Sequence, residues 1–184
     1  MHHQQLLLVF ILVAGVSGAP IQDTAQIVID RLTTFFTKDQ LVSTLNKIGN
    51  DFYVQKENSA IASDAGERLY SLLTDQQKAS LNTMNTNLQQ GLGKGYQKVV
   101  NNLFNFLSRY FDKNVSISKQ ISAQQVKAGK TKVQAINAAW TEADRTMAAQ
   151  IQNGMAAWKK TVTLNQWNAI KRALGPLFRF GLYP

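Results

Sequence analysis

The sequence predicts an all-α fold, and three observations carry that prediction. Apolar residues recur at i, i+3 and i+4 through nearly the whole interior. Thr-x-x-Gln stands just ahead of three periodic segments, at Thr37 to Gln40, Thr74 to Gln77 and Thr163 to Gln166. In this reciprocal capping box the threonine oxygen accepts from an orphan backbone N–H and the glutamine reaches back to another. The three prolines, at 20, 176 and 184, leave the interior without that helix breaker. No convincing strand pair or long repeat is present. The expected architecture is a single domain, residues 19–184, of about six to seven amphipathic helices, one of them long and in the C-terminal half.

Ahead of that domain, residues 1–18 read as a secretion signal. A polar start (His2, His3, Gln4, Gln5) leads into an apolar stretch from Leu6 to Val16, followed by the small residues Ser17, Gly18 and Ala19. That stretch is too short to cross a bilayer, and only the terminal amine supplies positive charge before it. The expected location is extracellular. Both histidines fall inside the signal and the chain has no cysteine. Burial and helix packing must therefore hold the domain together without disulfides.

The helices follow in order. Ala25, Val28, Ile29, Leu32, Phe35 and Phe36 share one face of a first helix; Leu41, Leu45, Ile48 and Phe52 mark a second. Ile61, Ala65, Leu69, Leu72 and Leu73 mark a third, and Leu81, Met84, Leu88 and Leu92 a fourth that the glycines at 91, 93 and 95 should interrupt. Tyr96, Val99, Val100, Leu103, Phe104, Leu107, Tyr110 and Phe111 then form an apolar sector about 160° wide. Lys98, Asn101, Asn102, Asn105, Ser108, Arg109 and Lys113 fill the remainder of that helix. A longer pattern runs from about Ser118 to Val162, with Val133, Ile136, Trp140, Ala143, Met147, Ile151, Met155 and Trp158 on or near one face. As one helix it would exceed about 50 Å, with Gly129 and Gly154 as the points where it bends or splits. Trp167, Ile170 and Leu174 make a short helix that Gly175 and Pro176 end, and the apolar tail from Leu177 to Tyr183 should dock on the domain.

Charge is divided between the halves. Residues 1–93 carry 6 Lys or Arg against 8 Asp or Glu, a net of −2, and residues 94–184 carry 14 against 3, a net of +11. The basic half favours anionic partners, whether fatty-acid carboxylates, phospholipid headgroups, acidic polysaccharides or nucleic acid, or else serves solubility. Export and the lack of any zinc-finger, aromatic-sheet or basic-zipper signature argue against nucleic acid. Gly93-Lys94-Gly95 and Gly129-Lys130-Thr131 lack the spacing of a phosphate loop, because Leu88 and Gln124 stand where its first glycine belongs. Without histidine no ordinary nucleophilic triad is available, and Glu142 and Asp144 point apart at a spacing of two. The chain is expected to be no enzyme and to use no cofactor or metal. Asn114-Val115-Ser116 is a glycan acceptor triplet, expected at an interhelix turn.

Leu73-Thr74-Asp75-Gln76-Gln77-Lys78 opens one of a succession of short amphipathic helices behind a signal peptide. Over about residues 35 to 110 this arrangement resembles the secreted nematode fatty-acid- and retinol-binding proteins. The resemblance implies an all-helical fold around an apolar cavity, without catalytic residues. The basic, alanine-rich and tryptophan-bearing C-terminal half departs from that family, so no individual binding residue is carried over. Insect apolipophorin-like lipid carriers share only the cysteine-free amphipathic composition.

The leading expectation is a secreted carrier for a fatty acid, retinoid or similar amphiphile. Phe35, Phe36, Leu103, Leu107, Trp140 and Met147 would hold the apolar part, and Lys94, Lys98 or Arg109 would meet an anionic head. A basic protein acting on anionic membrane surfaces and a protein-binding antigen or structural subunit are the alternatives. Oligomeric state is left open.

Overall fold

A computed structural model describes residues 35–175 and, within them, all side chains except those at 107 and 143–155. The leader, residues 25–34 of the first expected helix and the tail from Leu177 lie outside the described residues. Among the described residues six α-helices follow one another: α1 (Lys38–Tyr53), α2 (Asn58–Leu72), α3 (Asp75–Leu92), α4 (Tyr96–Lys127), α5 (Lys132–Lys159) and α6 (Leu164–Leu174). A 3-10 turn at Gly93–Gly95 joins α3 to α4. There is no strand among the described residues, so the fold is all-α.

The α4–α5 hairpin is the spine. Across the four residues between them these two helices run back along each other and make the most extensive helix–helix contact among the described residues. Gly129, at φ +74°, takes the left-handed conformation that lets α4 stop and the chain reverse. The pattern from Ser118 onward is therefore split there, at one of the two glycines that mark a bend. The chain from α3 to the end of α4 forms one joined helix of 53 residues with a 15° bend.

Capping chemistry sets the helix starts. Thr37, Thr74 and Thr163 each close a complete box with the glutamine three residues on. Thr131 and Gln134 close a fourth at the start of α5. The first two boxes are bound to each other. The Gln40 Nε2 donates to Gln77 Oε1 at 2.8 Å and to the Leu72 carbonyl at 2.7 Å, while Gln77 Nε2 returns a bond to Gln40 Oε1 at 3.0 Å and reaches the Phe35 carbonyl at 2.5 Å. One amide pair thus satisfies the ends of three helices, where backbone groups would otherwise be orphaned.

Two groups of helices clasp the spine at opposite ends. The α1–α2 pair covers the end nearer the hairpin turn: Phe52 meets Trp140 edge to face at 5.5 Å, Gln55 Nε2 donates to the Lys119 carbonyl and Asn58 Nδ2 to the Asp112 carbonyl. At the other end α6 lies on α3, with Trp167 edge-on to Trp158 at 6.1 Å. Gly91 makes that seam possible, since a Cβ there would fall 2.8 Å from the Ala169 Cβ. Buried leucines, isoleucines and aromatics from all six helices form one continuous core.

A lysine–aspartate chain ties α1 to α2. Lys47 bonds Asp51 and, at 2.9 Å, Asp64, which also pairs with Lys56. The bonds from Lys56 and then Lys47 hold the Asp64 carboxyl below its ordinary 3.8, against the upward push of its burial. Burial pulls the Lys47 amine down, but the bonds from Asp51 and Asp64 outweigh it and its pKa rises above the ordinary 10.5.

Two expectations about position change. Phe35 and Phe36 lie in the bend leading to Thr37 rather than on a helix face. Asn114 is inside α4, 6% exposed, with its Nδ2 donating to the Tyr110 carbonyl at 2.7 Å. The triplet does not mark an interhelix turn, because the apolar stripe of α4 continues through Phe111 and Val115 and keeps the helix unbroken.

Candidate ligand-binding cleft

The first half of α4 carries a second stripe beside its apolar one. Asn102, Asn105, Phe106, Arg109, Tyr110 and Lys113 recur at the 3- and 4-residue spacings of one helix face and fall within a sector of about 140°. Opposite them the last turn of α5 and the residues after it bring Ala157, Trp158 and Thr161. Together these residues line an open cleft of about 680 Å3.

Its walls differ in chemistry. Phe106 and Tyr110 stack in a tilted pair at 4.6 Å and make one aromatic wall; Trp158, braced by Trp167, makes the other. Thr161 closes the end of α5 by donating through its N–H and its Oγ1 to the Trp158 carbonyl, which fixes the backbone behind the indole. Trp158 is 5% exposed, yet its indole N–H is buried without a hydrogen-bond partner. Such a donor costs about 1–3 kcal/mol where it stands unpaired. Arg109 and Lys113, on the same cleft, are exposed, and no ion pair between described residues engages either. Asp112 sits between these two cations in sequence but does not line the cleft. Two asparagine amides, a phenol and a threonine complete a surface rich in donors.

Of the nominated residues whose side chains are described, Arg109 alone lines this cleft. Phe36 is 1% exposed and packs edge-on against half-buried Phe35 at 4.8 Å, next to the paired capping boxes. Trp140 is buried in the α1–α5 seam against Phe52, and Leu103 is half-buried against the core. The side chains of Leu107 and Met147 lie outside the described residues. The structure does not gather the described members of this set around one space; it uses them as core at separate seams. Lys94 is exposed in the 3-10 turn and Lys98 is exposed in the first turn of α4.

A second open cleft, also about 680 Å3, lies on the α3–α6 seam between Gly91, Asn165, Asn168, Lys171 and Arg172. It has cations and amides but no aromatic wall. Among the described residues no three His, Cys, Asp or Glu side chains converge as a metal site requires, and no helix is long and apolar enough to cross a membrane.

No known family model, curated protein or solved structure matches the chain. The cleft's own chemistry therefore bears the weight of any functional reading. In the sequence Asn102, Asn105 and Lys113 fall outside the apolar sector of this helix and Tyr110 falls within it. Their shared spacing with Phe106 and Arg109 was the available signal. Trp158 and Thr161 carried no local signal, since only the hairpin brings them opposite.

Proposed function

We propose that the protein is a secreted helical binding protein for an amphiphilic acid, of the fatty-acid or retinoid kind, whose acidic head sits in the α4–α5 cleft. The observation that carries this reading is a cleft lined by Arg109, Lys113 and Trp158, whose indole N–H is buried just behind that wall without a partner. An acidic head supplies acceptors for that donor and a charge for those cations, and a charge-assisted bond is worth about 1.5–3 kcal/mol. The aromatic walls of Phe106, Tyr110 and Trp158 suit the first carbons of an apolar body, each buried methylene adding about 0.8 kcal/mol before ordering costs. Two cations without a lining carboxylate, set beside aromatic walls, favour a molecule with an anionic head and an apolar body over a neutral sugar or peptide backbone.

The test is a titration of delipidated protein with a fluorescent long-chain fatty acid, repeated with the matching alcohol. Saturable binding that favours the acid about tenfold or more is expected, and Arg109→Gln with Lys113→Gln should remove that preference while leaving the alcohol's affinity in place. Equal affinity for acid and alcohol, or no saturation with either, refutes the assignment.

A further inference from the structure

The hairpin turn at the far end of the spine has a composition that neither the core nor the cleft explains. Residues 126–134 are all exposed. Val126 and Val133, 44% and 66% exposed, flank Lys127, Lys130 and Lys132 on a narrow convex tip. From Lys113 to Thr141 the chain holds five lysines and no aspartate or glutamate. Lys132 reaches back over the Tyr53 ring at 5.4 Å, which draws the end of α1 into the same region; there Val54 is 63% exposed. The acids nearest to Val54 in sequence are Asp51, which pairs with Lys47, and Glu57, which stands at the start of α2 without a side-chain capping bond.

We propose that this tip docks on anionic phospholipid surfaces, its lysines among the headgroups and Val126 and Val133 entering the interface. Positive charge without intervening acid complements an anionic leaflet, and each lysine near such a surface strengthens binding about fivefold. The valines choose between anionic partners. A polysaccharide would meet the lysines and gain nothing from two exposed branched side chains, whereas a bilayer interface removes them from water. This docking rests on residues remote from the Trp158 cleft and stands whether or not the cleft takes an acid.

Vesicle flotation with the full chain, stripped of lipid, tests it. Vesicles of phosphatidylcholine with one-third phosphatidylserine should bind about a hundredfold more strongly than pure phosphatidylcholine at low salt, three lysines contributing about fivefold each. Added salt should erode the difference as the screening length shortens. Lys127→Ser with Lys130→Ser should weaken binding about thirtyfold, and Val126→Ser with Val133→Ser about tenfold. Lys171→Ser with Arg172→Ser removes the same charge at the opposite end and should change binding less than threefold. All these positions are exposed, and unchanged thermal melts will confirm that each variant folds. Equal losses from the two charge pairs would overturn the proposal. So would indifference to phosphatidylserine, or heparin binding that survives the valine changes while vesicles are ignored. The fatty-acid titration above is independent, so failure of one leaves the other intact.

Discussion

Gly91→Ala probes the seam that braces the cleft. Carbon atoms of packed side chains rest about 3.5–4.0 Å apart, and the added methyl would stand 2.8 Å from the Ala169 Cβ. Neither group has a rotamer to change, so α6 must retreat from α3. Overpacking of this kind costs about 1–3 kcal/mol. Replacing glycine by alanine within a helix returns about 1 kcal/mol of propensity. The net expectation is destabilisation of about 1 kcal/mol, or a fall in Tm of about 2–4 °C, followed by circular dichroism at 222 nm. The companion change Ala169→Gly costs about 1 kcal/mol of propensity by itself, yet the double variant should return to within about 1 kcal/mol of the original because one methyl again occupies the seam. As α6 carries Trp167 away from Trp158, the single variant should also lose acid affinity. If Gly91→Ala instead stabilises by about 1 kcal/mol and shows no coupling to Ala169→Gly, helix propensity alone governs the site and the close approach of α3 to α6 is refuted.

Other perturbations separate further parts of the account. Gln40→Leu leaves the Thr37 N–H and the Leu72 carbonyl without their partner and unpairs the two capping boxes, so urea melts should show a loss of about 2–3 kcal/mol; Gln134→Leu, at an exposed box, should cost about 1 kcal/mol or less. Gly129→Ala forces a side chain into the left-handed region and should cost about 1–2 kcal/mol. Because the folded Asp64 carboxyl titrates below its ordinary 3.8, its pairs contribute stability at pH values above that and lose it as acid protonates the group. Lys47, held above 10.5, contributes below that pH and loses its share as alkali deprotonates it. Asp64→Asn should therefore flatten the acid limb of a stability–pH profile, with a difference that salt reduces.

Helix identity was legible because apolar spacing and cap chemistry are local. Leu41, Leu45, Ile48 and Phe52 share a face whatever they meet, and three Thr-x-x-Gln boxes needed only four residues each. The fourth, Thr131 to Gln134, escaped because its helix shares an apolar register with residues before Gly129, so the pattern reads through the turn. The cleft was less legible for a different reason. A stripe such as Asn102, Phe106, Arg109 and Lys113 looks solvated until the hairpin sets Trp158 against it, and that pairing belongs to tertiary structure. Aromatic size was the misleading cue for Phe36 and Trp140, since burial against Phe35 and Phe52 rewards the same surface that a ligand would.

The most direct test watches the Trp158 indole proton itself. The chain has three tryptophans, so a 1H–15N spectrum of delipidated protein resolves three indole signals, and Trp158→Phe assigns the one at issue. Addition of a long-chain fatty acid should move that signal downfield, as a new hydrogen bond requires, and leave Trp140 in place. A saturating fatty acid that leaves the Trp158 signal unmoved would contradict the account.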